Sequence, residues 1–317
     1  MLLKLVPAET TLKFMRWRRV GFAFSALLLL GSIALLGVRG LNLGIDFLGG
    51  TLIEIQTDGP ADLGGLRNEL NGLGLGEVSL QEFGAPDTVL IRIQRQEGGE
   101  DAQLAALETA KAAIDEQVAE YRRQEFVGPT IGAELQEAAI YAVLFALGAI
   151  MLYIWFRFEW QFGLGAIVAL THDVIATMGL FALLQLEFNL STVAAVLTIA
   201  GYSINDTVVV YDRVREKIRK YKRMPFEELF DFALNKTLSR TLMTSITTLL
   251  ALLALSFFGG EVIRGFTVAL IFGIVIGTYS SIMVAVPLLL YLRPRRGDED
   301  EVTPGEGGGA GKAAAKS

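Results

Sequence analysis

The chain has 317 residues, 52% of them hydrophobic, a formal net charge of −6, a single His and no Cys. Its mean hydropathy is +0.46, and its apolar residues come in blocks, which excludes an ordinary soluble domain, where apolar usage runs near ~45–50% without long uncharged runs. The lack of Cys excludes disulfides and thiol chemistry, and the net charge says little, because in a membrane chain charge is read loop by loop.

Residues 1–19 carry Lys13, Arg16, Arg18 and Arg19 ahead of an apolar run at 20–38. That run exceeds the roughly 7–15 residues of a signal h-region, and no small-x-small cleavage site follows, so it predicts an uncleaved first span.

Residues 39–137 read as a folded α+β domain. "TLIEIQT" alternates as a strand does, and "DLGGLRNELNGLG" is a Gly-interrupted helix. "EVSLQEF" and "TVLIRIQ" alternate again across the turn "GAPD". Asp101 is expected to cap the helix "AQLAALETAKAAIDEQVAEY", with Leu104, Leu107, Ala110 and Ile114 at helical spacing. "RQEFVGPT" closes the order as a last strand. The order β-α-β-β-α-β fits a ferredoxin-like sandwich.

Five further spans follow at 138–156, 162–184, 190–211, 239–258 and 266–292, each near the ~20 residues that cross about 30 Å of hydrocarbon. The uncharged part of the fifth is only 242–258, so its helix is expected to start earlier and take Arg240 into the membrane. Between the fourth and fifth spans, 212–238 holds an apolar stripe of Phe226, Leu229, Phe230, Ala233 and Leu234. This basic amphipathic connection is expected to lie along the membrane surface. The tail 293–317 turns acidic and then Gly- and Ala-rich, the composition of a disordered segment.

The Lys and Arg residues set the orientation. Four precede the first span, nine fall between Arg213 and Arg240, and Arg293, Arg295 and Arg296 follow the last. This pattern predicts both termini in the cytoplasm and 39–137 outside.

Within the spans, Thr198, Gly201, Tyr202, Asn205 and Asp206 share one helix face, and Arg240, Met243, Thr244, Thr247 and Thr248 repeat that spacing. Each helix then has one polar stripe and one lipid face. Asp206 lies about 24 Å from Leu190, and Arg240 about 27 Å from Phe258, at the same rise per residue. The two helices are antiparallel, so the charges are expected at similar depth and within reach of a salt bridge. A charge at mid-membrane costs about 2.5–3.5 kcal/mol. A carboxyl escapes that cost by pairing with Arg or by taking a proton, and with water access from alternate sides the two options make a switch. The competing reading is a static pair that fixes helix register. Asp173, about 17 Å below Leu184, is a candidate relay step. The neighbouring His172 is expected to bond a neighbouring helix. "GIVIG" at 273–277 is a GxxxG expected to serve packing. The sequence holds no Walker loop, HExxH, Cys/His cluster or GxSxG elbow, so no enzyme, ATP site or metal is expected.

Four motifs in order, "GIDFLGGTLIEIQ", "VGPTIGAEL", "GYSINDTVVVYDRVRE" and "NKTLSRTLMTSITTLLALLALSFFGG", resemble the SecF family of bacterial protein-export subunits, over nearly all of residues 10–293. The resemblance implies a six-span inner-membrane protein of the resistance-nodulation-division superfamily that pairs with SecD, a sister subunit fused to it in some bacteria. It implies work beside the SecYEG channel, with SecA and YajC as associates and a preprotein as substrate. Protons would be the coupling ion, with no other cofactor and no nucleic acid. The family's essential membrane Asp falls on Asp206 and its Arg on Arg240, and Asp173 falls on a recurring acidic position. Two other readings are a small-molecule exporter half of the same superfamily and a passive scaffold of the channel. Six spans with one modest loop argue against the exporter, and a buried Asp206–Arg240 pair argues against the scaffold.

Overall fold

The computed structural model describes residues 10–295, without the side chains of Pro129 and Glu261. The tail expected to be disordered lies outside the described residues from 296 onward. A turn of 3₁₀ helix, Phe14–Trp17, leads into helix α1 (Arg18–Val38). Strand β1 (Asn42–Leu43) and a single helical turn, α2 (Ile45–Leu48), connect it to the α+β domain.

That domain contains β2 (Gly50–Gln56), α3 (Leu63–Asn71), β3 (Val78–Phe83), β4 (Ala85–Ile93), α4 (Glu100–Ile114) and β5 (Glu120–Val127). The sheet order is β3-β4-β2-β5 with every neighbouring pair antiparallel, the ferredoxin-like arrangement expected from the element order. Strand side chains alternate between faces. Ile53 and Ile55 of β2 and Val89, Ile91 and Ile93 of β4 pack on Leu66 and Leu70 of α3 and on Ala106, Ala110 and Ile114 of α4. The opposite face buries Leu52 and Leu90 under Ile45 of α2.

Two details of α4 differ from the sequence expectation. Its N-cap is Gly99, at φ 82°, and not Asp101, which sits in the first turn. There its charge still complements the helix dipole. Leu104 faces solvent, 46% exposed, and Gln103 takes the inward position, donating to Thr51 Oγ1 at 2.8 Å.

The remainder of the described residues is mostly helical. Helix α5 (Pro129–Arg157) starts within the "VGPTIGAEL" motif, so the boundary expected at 137 falls inside a helix. Pro129 opens it at a position where a missing N–H costs nothing. Then come α6 (Trp160–Leu184), β6 (Glu187–Phe188), α7 (Leu190–Lys220) and α8 (Phe226–Phe258). The last span is broken into α9 (Arg264–Ser280), a π-helical turn (Ser281–Ala285) and α10 (Val286–Leu292). Among the described residues six helices are long and apolar enough to cross a membrane.

The apolar stripe of the connection, expected to lie on the membrane surface, is buried on protein. Residues 190–220 and 226–258 form two long helices joined by five residues. The stripe of Leu229, Phe230, Ala233 and Leu234 is buried against Met15, Val214 and Ile218. An apolar stripe finds more burial against a neighbouring helix than against a headgroup layer, so the amphipathic pattern was right and its partner was protein. Tyr211 closes this end, fully buried, with its hydroxyl on the Ala285 carbonyl at 3.1 Å and its ring 5.2 Å from that of Phe162.

Candidate functional site

The glycines of "GIVIG" set the distance between α7 and α9. A Cβ on Gly277 would stand 3.1 Å from Ser203 Cβ, and one on Gly273 would overlap Ile199 outright. This close approach brings Ser203 of α7 and Ser280 of α9 to the same point on α6. Both hydroxyls donate to Asp173 Oδ2, Ser280 at 2.8 Å. Oδ1 meets His172 Nδ1 at 2.9 Å. Asp173 and His172 are 0% and 1% exposed. Asp173 therefore holds three helices together with both carboxyl oxygens engaged. His172 bonds its own neighbour in the chain, not another helix, and its Nε2 is buried without a hydrogen-bond partner.

One step along, Thr207 of α7 shares a hydrogen bond of 2.8 Å with Ser281. Ser281 opens the π-helical turn, a distortion that recurs at functional positions in helices. Pro287, two residues past that turn, supplies no N–H to the helix ladder. Ser203, Ser280, Ser281 and Thr207 were not singled out in the sequence. The visible signal was the run Thr278-Tyr279-Ser280-Ser281 inside a largely apolar span.

Asp206 stands one helical turn from Ser203. It is 5% exposed, and its Oδ2 is buried with no hydrogen-bond partner. Asp206 and Arg240 are not in salt-bridge contact. Arg240 is exposed and lines a cleft with Asp212, Arg213 and Glu216 toward the basic end of the bundle, close enough for its charge to act on Asp206. The depth argument rested on positions along the helices and carried no information on the direction of the long Arg side chain.

The stripes split likewise. Thr198, Gly201 and Asn205 are exposed on α7, whereas Asp206 turns inward and the Tyr202 hydroxyl is buried without a partner. On α8, Thr244, Thr247 and Thr248 turn their hydroxyls onto backbone carbonyls of their own helix, the last at 2.9 Å from Thr244 O. Met243 is 38% exposed beside them.

The far end of α7 carries a contact that no local pattern revealed. Asp46 of α2 accepts the backbone N–H of Leu190, the first residue of α7, at 2.9 Å. Asn189 caps the same end through Thr192 N at 3.1 Å. Next to it, β1 pairs in parallel with β6, Asn42 opposite Glu187 and Leu43 opposite Phe188. Arg92 of β4 reaches Glu187 at 3.1 Å and Asn42 Oδ1 at 3.2 Å. The α+β domain is thus fastened to the helix that holds Asp206. Gly49 and Gly50, both at positive φ, make the turn between α2 and the sheet, and a Cβ on Gly50 would strike Ile93 O. Among the described residues no group of His, Cys, Asp or Glu is arranged to hold a metal ion.

Comparison with known proteins matches residues 106–295 to the family described as "Protein export membrane protein SecD/SecF, C-terminal" and residues 34–61 to the "SecD/SecF GG Motif". The protein translocase subunit SecF of Rickettsia felis is 47% identical over 93% of this chain and 96% of its own length. That of Rhodobacter capsulatus is 46% identical over 94% and 93%. The crystal structure of SecDF from Thermus thermophilus, a translocon-associated membrane protein, superposes with a TM-score of 0.83 at 39% identity over 92% of this chain. A SecDF structure in a super-membrane-facing form superposes at 0.67, with 38% identity over 94%. The chain spans 40% of the length of each SecDF chain.

Proposed function

The chain belongs to the SecD/SecF family of protein-export membrane proteins, and from that premise we propose that it uses proton entry at Asp206 to move its α+β domain during preprotein translocation. It is a multi-pass Sec translocase subunit that acts with SecD. SecYEG, SecA and YajC are its proposed associates and the emerging preprotein its proposed substrate. It catalyses no covalent reaction and needs no cofactor beyond the proton.

The observation that carries this reading is the contrast between two buried acids on neighbouring helices. Asp173 has both oxygens bonded and acts as the anchor of the bundle. Asp206 has a buried oxygen with no partner. An acid in that position is served by a proton or by the guanidinium of Arg240. Each unit charge that crosses 100 mV contributes about 2.3 kcal/mol, comparable to the cost of breaking one or two charged hydrogen bonds, at about 1.5–3 kcal/mol each. Helix α7 carries the change outward, since its far end is held by Asp46 of α2, the turn that enters the α+β domain. The two SecDF structures overlay on this chain at 0.83 and 0.67 with nearly equal identity, so the region they share with it differs in shape between them.

The basic end, with Arg16, Arg18, Arg19, Arg213 and Arg219, is proposed to face the cytoplasm with both termini, which puts the α+β domain outside. The exposed stripe of Thr198, Gly201 and Asn205 with Arg240 and Thr247 is too polar for lipid, and SecD is its proposed cover.

The test is Asp206→Asn, expressed with SecD and checked for assembly. Potential-dependent preprotein release should fall to the level seen without the subunit, with ATP-driven initiation intact. Normal release from an assembled Asp206→Asn complex would overturn the reading.

A further inference from the structure

At the basic end, the start of α6 and the last turns of α7 line an open cavity of about 490 Å³. Arg215 and Arg219 of α7 and Arg295, beyond α10, line it with Glu159, Trp160 and Gln161. Three guanidiniums against one carboxylate leave an excess of two positive charges. Arg215 Nε lies 3.9 Å from Glu159 Oε1, too long for a hydrogen bond, and is buried without a hydrogen-bond partner.

Gln161 gives an independent indication. It is 4% exposed, and its Oε1 is buried with no hydrogen-bond partner. Buried amide oxygens are ordinarily satisfied, so this acceptor calls for a donor from whatever fills the cavity. Glu159 is the N-cap of the 25-residue α6, yet its side chain caps none of the first amides, so the positive end of the helix dipole also faces this space. Trp160 is 65% exposed at the rim, and Trp155 and Phe156 of α5 are 78% and 83% exposed nearby in the chain. Exposed aromatics of this kind mark the depth of lipid headgroups.

We propose that this cavity binds the headgroup of an anionic glycerophospholipid, with Arg215, Arg219 and Arg295 on the phosphate and Gln161 accepting from a headgroup hydroxyl. Guanidiniums grip phosphate oxygens in a bidentate manner, and basic pockets at helix ends hold acidic headgroups. A zwitterionic headgroup offers an ammonium to Glu159 but leaves the excess positive charge unmatched. The chemistry shared with free phosphate is the dianion or monoanion itself. The donor to Gln161 and the aromatic rim favour the lipid.

The experiment is native mass spectrometry of the full chain in detergent, titrated with phosphatidylglycerol, phosphatidylethanolamine and phosphatidic acid of the same acyl chains. Phosphatidylglycerol should be retained in preference to the other two. Each guanidinium removed should weaken it about five-fold, so Arg219→Gln with Arg295→Gln should cost roughly twenty-five-fold. Both side chains are exposed, so the fold should tolerate the change, and an unaltered melting temperature checks this. Gln161→Leu should abolish the preference over phosphatidic acid, which lacks the alcohol hydroxyls of the glycerol headgroup. Arg16→Gln with Arg19→Gln, at the same end but outside the cavity, should change nothing. Retention within about two-fold by the Arg219/Arg295 variant would overturn the site. Displacement of the lipid by millimolar inorganic phosphate would overturn the lipid and assign the cavity to free phosphate.

Discussion

Asp46 Oδ2 accepts the N–H of Leu190 at 2.9 Å across 144 residues of sequence. One residue belongs to the turn that enters the α+β domain, the other is the first of the helix carrying Asp206. A carboxylate at a helix N-terminus both satisfies an orphan donor and meets the positive end of the dipole.

Replacement of that carboxylate should separate proton entry from domain movement. Asp46→Ala is expected to cost about 0.5–2 kcal/mol, the range for loss of a helix cap. In membranes it should leave proton conductance through the SecD complex near wild type while preprotein release falls. Asp46→Asn keeps an acceptor and should lie between the two. Equal loss of conductance and release in Asp46→Ala would show that the contact serves stability alone.

Gly273 should tolerate no side chain. Its Cβ would overlap Ile199, and overpacking in a tight helix contact costs about 1–3 kcal/mol. Gly273→Ala should lower the melting temperature of the purified protein, and Ile199→Ala in the same chain should recover part of the loss. Gly277→Ala, facing Ser203 at 3.1 Å, should have a smaller effect. A Gly273→Ala protein as stable as wild type would contradict the packing described.

The α+β domain should lose a contribution to its stability in acid. Gln56 donates to Asp87 Oδ2 at 2.7 Å, and this hydrogen bond, ahead of smaller influences including the Arg122 charge, holds the Asp87 carboxyl below the usual carboxylate range. A group with a depressed folded pKa stabilises the fold above its unfolded pKa, near ~3.9, and that contribution fades as the pH falls through the folded value. Asp87→Asn should therefore flatten the stability curve below about pH 4 and leave its shape near neutrality unchanged. Curves for variant and wild type that keep a constant offset throughout acid would refute the assignment.

Ser280→Ala removes one of the donors to Asp173 and leaves the carboxyl buried on α6. Loss of a bond to a buried charged group costs about 1.5–3 kcal/mol. Because Ser280 is the last residue of α9 and adjoins the π-helical turn, the loss should appear as faster hydrogen exchange in 281–285. Unchanged exchange there would mean that the turn is held by other contacts.

The sequence made the six spans and the βαββαβ order legible because both are local patterns. An apolar run or a two-residue alternation needs no knowledge of its partner. What it left unread depends on pairs far apart in the chain. The β1–β6 ladder joins two-residue strands too short to register as a pattern, and Asp46 is an ordinary acid until α7 begins beside it. Asp173 stood out as a charge in lipid, but its partners Ser203 and Ser280 lie on two other helices. The amphipathic stripe at 226–234 announced burial without saying against what. Arg240 shows the same gap at the level of one side chain, since its helix position was read from spacing and its direction was not.

The central claim is that protonation of Asp206 moves the α+β domain through α7. The chain has no native Cys, so Glu108→Cys on α4 and Val262→Cys before α9 accept a specific spin-label pair. Distances between them are measured by double electron–electron resonance in the complex with SecD, in alkaline and in acidic buffer. The wild-type distance distribution should shift on acidification, and Asp206→Asn should show the acidic distribution in both buffers. An Asp206→Asn complex that still shifts with pH as wild type does would contradict the account.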